Sequence, residues 1–161
     1  MATVEPTSFS DIYEAFFEKV TDDMYMELTE DETNALLQEL LVAAIPHFEF
    51  PRTDLTDYDL DMEAFNNALT KEEINILADY MVVEWMTQQL ATVENTRLKY
   101  SGSDFKFTSQ ANHMKTIRQM KEEYEKEGFH LQRLYKRRYI NSNGKLKPTM
   151  RLLMQDTYDE D

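Results

Sequence analysis

Apolar side chains recur at helical spacing in four stretches of the chain. The first begins at Phe9, and its apolar residues fall at positions i, i+3, i+4, i+7, i+8 and i+11, which is one face of a helix. Ser8 precedes this stretch and is predicted to cap it. The second follows a Thr-x-x-Glu capping box at residues 29–32 and is predicted to end near Pro46, because proline lacks a backbone N–H and disfavours helix before it. The two runs are Phe9, Ile12, Tyr13, Phe16, Phe17 and Val20, and Leu36, Leu37, Leu40, Leu41 and Ala44.

The third stretch predicts a long central helix. It opens on another capping box, Thr-x-x-Glu at residues 70–73, and extends to about Val93, which makes about 24 residues and roughly 35 Å. Val83, Leu90 and Val93 widen its apolar surface, so contacts on more than one side are expected. Its main face comprises Ile74, Leu77, Ala78, Met81, Val82, Trp85 and Met86.

The fourth stretch predicts a helix that Ser109 caps and that Gly128 ends or kinks. Helical spacing resumes after Gly128 and stops at residues 141–144, whose Asn, Ser and Gly residues favour a turn. The apolar positions are Ala111, Met114, Ile117 and Tyr124 before Gly128, and Leu131, Leu134, Tyr135 and Tyr139 after it.

Residues 46–69 have two prolines, many aspartates and no sustained period, so a long acidic loop is predicted there. Short extended pieces are predicted at residues 48–50 and around residues 65–69. The fold class predicted for the whole chain is mainly α: a small helical bundle around a long central helix, with an acidic loop and an extended C-terminal arm.

Charge divides the chain along its length. The net charge is −14. Residues 1–127 contain 27 acidic and 10 basic residues, residues 128–155 contain seven basic residues and no acidic one, and the last six contain four acidic residues. We therefore predict an acidic helical domain over residues 1–127 and a basic C-terminal helix or arm with an acidic end over residues 128–161. A strongly negative balance argues against a nucleic-acid-binding domain, which usually carries excess Lys and Arg.

The sequence offers little for catalysis or for metal binding. The chain has no cysteine, and His47, His113 and His130 share no metal-ligand spacing. The acidic stretch from Asp57 to Asp61 begins like a calcium loop, but the sixth position is Met62 instead of glycine, so a solvated acidic loop is the better interpretation. With three glycines, the chain has no phosphate-binding loop. We expect no enzymatic activity, no cofactor and no membrane-spanning segment.

A basic cluster with flanking aromatic residues occupies residues 135–139. Three interpretations remain open: a contact with single-stranded nucleic acid, a solvated helix face near a helix C-terminus, or docking on the acidic body of a neighbouring copy or partner. The third fits the division of charge best. The tail beyond Gly144 adds apolar residues that a short segment cannot bury by itself. The predicted protein-interface residues are Arg133, Lys136, Arg137, Arg138, Lys145, Leu146, Lys147, Met150, Arg151, Leu152 and Leu153.

Several motifs follow one another in a suggestive order. After the aromatic first helix and the acidic loop come Leu69-Thr70-Lys71-Glu72-Glu73, Met81-Val82-Val83-Glu84-Trp85 and Ser109-Gln110-Ala111-Asn112-His113. Over residues 9–127 this order resembles the head-tail connector (neck, or adaptor) proteins of tailed bacteriophages. The basic C-terminal part departs from shorter members of that family.

The resemblance implies a structural virion protein that assembles as a ring, commonly twelvefold, at the neck. Its partners would be other copies of the chain, the portal protein and another neck or tail protein, and DNA would pass through the ring without sequence-specific binding. The resemblance supplies no catalytic residues. The alternative is a cytosolic acidic helical protein-binding or regulatory module that binds a basic partner or mimics nucleic acid. A metal-dependent enzyme using the Asp57 to Asp61 loop ranks last.

Overall fold

The described residues form four α-helices and five very short strands. The computed structural model describes residues 5–20, 29–99, 107–140 and 146–148. The predicted mainly α class is confirmed. The elements are β1 (Thr7–Ser8), α1 (Phe9–Phe17), α2 (Glu30–Ala44), β2 (Tyr58–Asp59), β3 (Ala64–Phe65), α3 (Lys71–Lys99), α4 (Phe107–Lys136), β4 (Arg138–Ile140) and β5 (Leu146–Pro148), with a short 3-10 turn over Ile45–His47.

Helix α3 is the centre of the bundle. It packs against α1, α2 and α4. Eight consecutive residues, from Ile76 to Val83, are buried, so α3 is enclosed on all sides over two turns. The contacts on more than one side that its wide apolar surface predicts are therefore present.

Three of the helix starts follow the predicted capping chemistry. The Ser8 hydroxyl accepts a hydrogen bond from the Ser10 N–H at 3.3 Å. At α3, the Glu73 carboxylate accepts from the Thr70 N–H at 2.7 Å, and the Glu73 N–H donates to the Thr70 hydroxyl at 3.3 Å. The Thr29 and Glu32 pair forms the same reciprocal box at α2. The caps explain why the chain enters each helix at that residue.

The capping box of α2 is predicted to stabilise the fold in a pH-dependent way. Hydrogen bonds from the Thr29 N–H and hydroxyl hold the pKa of Glu32 below its usual value. Since this pKa is lower in the folded chain, the stabilisation is present at neutral pH and is lost as pH falls through the folded pKa. We expect Thr29→Ala to lower the urea midpoint at pH 7, with a difference from the parent that shrinks in acid. Thr116→Ala, within α4, is the matched control and should show no such pH dependence.

The predicted loop over residues 46–69 contains two strands. Strand β3 pairs antiparallel with β2 and with β1, so the sheet order is β1-β3-β2. Phe65 is paired with Thr7 on one side and with Tyr58 on the other. The predicted extended piece near residue 65 is thus confirmed at Phe65. The one predicted at residues 48–50 is wrong, because that segment is irregular and packs on α4 instead.

Three predictions for this part of the chain are wrong: the helix cap at Ser109, the helix end at Gly128 and the helical position of Tyr139. The helix begins at Phe107, so Ser109 lies inside it and is not its cap. It runs through Gly128 to Lys136, and Tyr139 lies in β4 instead of on a helix face. The boundary predicted between residues 127 and 128 also falls within this helix, and Tyr135 belongs to the same core as α1 to α3. Residues 128–136 are therefore part of the helical body.

Candidate interaction surfaces

The C-terminal turn of α4 is anchored through Tyr135. Its side chain is 2% exposed, and its hydroxyl donates to the Glu73 carboxylate at 2.6 Å and accepts from the Arg52 N–H at 2.9 Å. The Arg52 guanidinium lies 3.8 Å from the centre of the Tyr135 ring, and Phe48 packs edge-on at 5.4 Å. Burial and the bond to Glu73 raise the pKa of Tyr135. This aromatic residue of the basic cluster is a core residue.

Two cations of the cluster contact the chain's own body. Arg138 forms an ion pair with Glu72 at the start of α3, and its carbonyl accepts from the Arg52 guanidinium. The Lys136 ammonium lies 3.8 Å from the centre of the Phe50 ring. Part of the charge expected to dock on a neighbour therefore stabilises the monomer.

Two further cations, Arg133 of α4 and Arg137 of the cluster, are exposed. Arg133 lies over the ring of Phe129 at 6.0 Å, and Arg137 is exposed after the last turn of the helix. Phe129 and Phe50 are each 51% exposed. We call the surface formed by Phe50, Phe129, Arg133, Lys136 and Arg137 the basic aromatic face.

Of the predicted interface residues in the tail, the structure places two. Leu146 and Lys147 lie in β5, where Leu146 pairs with Ile140 and Lys147 with Tyr139 of β4. The start of the predicted arm is thus one strand of an antiparallel pair. Lys145, Met150, Arg151, Leu152 and Leu153 lie outside the described residues.

The acidic loop uses several of its carboxylates to hold its own shape. Asp59 accepts hydrogen bonds from the N–H groups of Asp61 and Met62 at 2.8 and 3.0 Å. The Asp57 carboxylate accepts from the Asn66 side chain at 2.7 Å. Among the residues that the structure describes, no group of three His, Asp or Glu side chains is placed to hold a metal ion.

The same loop exposes apolar side chains at its tip. Met62 is 74% exposed and Leu60 is 48% exposed. Glu63 closes the tip with a φ of 48°, and its carbonyl accepts from the Phe9 N–H at 2.8 Å. The Leu60 carbonyl accepts from the Gln38 side chain of α2 at 3.2 Å. We call Asp59–Glu63 the acidic loop tip.

A cavity of about 280 Å³ lies between α3 and α4. Lys19 reaches into it and its ammonium lies 3.0 Å from one oxygen of Asp79. The other Asp79 oxygen is buried without a hydrogen-bond partner, and burial raises the pKa of this carboxyl against the opposing effect of Lys19. The remaining lining includes Glu72, Ile76, Glu127, Leu131, Leu134 and Arg138.

Gly128 lies against a fixed aromatic ring. A Cβ at this position would meet the Tyr80 ring at 3.0 Å. That ring stacks on His47 at 5.1 Å, and its hydroxyl accepts from the Gln132 side chain at 2.6 Å. The glycine thus permits close packing of α3 on α4, and the helix continues through it to Lys136.

We expect Gly128→Ala to destabilise the fold. Alanine would favour the helix by about 1 kcal/mol. Crowding against a ring that cannot yield costs about 1–3 kcal/mol, so a net loss of up to about 2 kcal/mol is expected in urea unfolding. In a Tyr80→Ala background the same substitution should be neutral or stabilising. An equal loss in both backgrounds would show that the ring is not the cause.

The three histidines belong to no metal-binding group among the residues that the structure describes. His47 lies 2.7 Å from the Glu84 carboxylate, which makes it part of the packing between the 3-10 turn and α3. His113 and His130 are exposed on α4. Within the described ranges, no helix is both long enough and apolar enough to cross a membrane.

The geometry defines an acidic helical bundle with two exposed surfaces of opposite charge. Comparisons with known proteins found no matching family model, no matching curated protein and no matching solved structure. Sequence reasoning missed Phe50 and Arg52, because the segment that carries them has no periodicity, and it missed the apolar character of the acidic loop tip. The alternation of acidic and apolar residues from Asp57 to Glu63 is the signal that would have revealed the tip.

Proposed function

We propose that the chain is a structural virion protein of a tailed phage, which assembles as a ring at the head-tail connector and bridges head and tail next to the portal. The observation that carries this proposal is the bundle built around α3. The capped helix start at residues 70–73, the aromatic α1, the acidic loop and α4 occur in the order on which the resemblance to connector proteins rests. The chain acts by binding other subunits and has no catalytic step.

The net negative charge of the chain also supports this function. Each copy has a net charge of −14, so a ring of copies would present a negative field to DNA in its channel. Phosphates would be repelled from the wall, and DNA would move through without being bound. The cations that would attract a nucleic acid are concentrated toward the C-terminus.

The test is made on particles of the phage whose genome encodes the chain. Gold-labelled antibodies against the chain should mark the junction of head and tail, and a stop codon in its gene should give filled heads and free tails that do not join. A plasmid copy of the gene is the control and should restore joining. Absence of the chain from purified particles would reject the virion assignment and favour the cytosolic binding module.

A further inference from the structure

Exposed large apolar side chains concentrate on the two charged surfaces. In the described part of the chain, six such residues are exposed by more than a third. Leu60 and Met62 lie on the acidic loop tip, and Phe50 and Phe129 lie on the basic aromatic face. Exposed apolar residues grouped in this way mark binding surfaces more often than isolated ones do.

We propose that the acidic loop tip of one copy docks on the basic aromatic face of the next copy. Met62 and Leu60 would pack on Phe129 and Phe50, while Asp61 would lie near Arg133 and Arg137. This inference rests on the proposed function, because it names the surfaces by which neighbouring subunits of the ring meet.

Charge complementarity selects a second copy as the occupant. The tip carries three carboxylates within five residues, and the face carries three cations around two phenyl rings. Both surfaces belong to one chain, so each copy carries a tip and a face that are complementary to the face and the tip of its neighbours. The contact is heterologous, with different surfaces on the two sides, and such contacts give rings when the rotation between copies closes.

The tip is fixed in shape before it binds. The Asp59 carboxylate accepts hydrogen bonds from the N–H groups of residues 61 and 62. The Gln38 side chain of α2 donates one to the Leu60 carbonyl. Glu63 has a left-handed backbone conformation, and its carbonyl accepts a hydrogen bond from the Phe9 N–H. A loop that is already ordered loses less conformational freedom on binding, which favours association.

Disulfide cross-linking tests the contact directly, because the chain has no native cysteine. Met62→Cys protein is mixed at high concentration with a larger, tagged Phe129→Cys protein under mild oxidation. We expect a cross-linked heterodimer in the mixture and none in either variant alone. Met120→Cys, also on an exposed apolar position of α4, replaces Phe129→Cys in the control and should not cross-link.

Charge variants then test the electrostatic part. Asp61→Lys should slow cross-linking by about tenfold, because like charges would face each other across the contact. Arg133→Glu in the partner should restore the rate, whereas Lys115→Glu, elsewhere on α4, should not. Higher ionic strength should reduce the difference between parent and variant.

The outcomes separate this inference from the proposed function. Cross-links in the mixture with a chain that is absent from particles would uphold the contact and reject the neck assignment. A chain present at the neck without cross-links in the mixture would overturn the contact and leave the assignment standing. Cross-links within a single variant would also overturn it, because they would indicate a symmetric dimer.

Discussion

Tyr135→Ala is expected to destabilise the helical body by about 3–5 kcal/mol, the usual cost of removing a large buried aromatic side chain. The substitution removes the ring that packs on Phe48 and Arg52 and the hydroxyl that binds Glu73. Since domains are stable by about 5–15 kcal/mol, this loss is a large part of the total. Urea unfolding followed by circular dichroism should show a lower midpoint.

Two further variants show whether the loss of buried contacts causes the destabilisation expected for Tyr135→Ala. Tyr135→Phe keeps the ring but leaves a buried carboxylate oxygen of Glu73 without its donor, so a loss of about 1–3 kcal/mol is expected. Phe129→Ala, on the exposed side of the same helix, should change stability by less than about 0.5 kcal/mol. If Tyr135→Ala costs no more than Phe129→Ala, the last turn of α4 is not part of the core.

Deleting residues 145–161 is expected to leave the helical body folded and to weaken assembly. The deleted segment includes β5, three cations and the apolar residues Leu146, Met150, Leu152, Leu153 and Met154. At about 25 cal/mol per Å², burial of roughly 60 Å² of apolar surface on a neighbour accounts for about a tenfold change in affinity. The charges would set orientation and encounter rate more than strength.

Two measurements test the expected effects of this deletion on folding and on assembly. Helical circular dichroism should persist, and assembly followed by light scattering or by joining of heads and tails should weaken by at least about tenfold. Loss of the helical signal would mean that the segment belongs to the domain's own core. Assembly equal to that of the full chain would mean that the segment is no docking arm.

The structure decides which cations should be reversed to test docking of the basic cluster on a partner. Reversing the cations at residues 136–138 would break the ion pair between Arg138 and Glu72 and the contact of Lys136 with Phe50. Arg133 and Arg137 are the better targets, because both are exposed on the basic aromatic face. The structure thus separates cations that hold the monomer together from those available to a partner.

The helices could be predicted because each has local signals. The capping boxes at residues 29–32 and 70–73 and the apolar spacing that follows them depend on neighbours within a few positions. Gly128 could not be interpreted locally, because its role depends on Tyr80, which lies 48 positions earlier in the chain and packs against it across the bundle. Strands β1, β2, β4 and β5 were missed for a related reason, since strands of two or three residues are defined by their partners and carry no period of their own.

The candidate surfaces depended even more on long-range contacts. The sequence identified the cations of the basic cluster, but the residues that complete or anchor it, Phe50 and Arg52, come from a segment more than 80 positions earlier. It also identified the acidic loop as charged, without indicating that Leu60 and Met62 stay exposed. Which charged residues are available to bind depends on which are already paired within the fold.

The most direct test of the central claim is imaging of the native particle at a resolution that traces this chain. We expect a closed ring of copies at the neck, between the portal and the tail, with the acidic channel wall facing the DNA. The acidic loop tip of each copy should lie on the basic aromatic face of its neighbour. Particles whose neck contains no copy of the chain, or that contain it without a ring, would contradict the account.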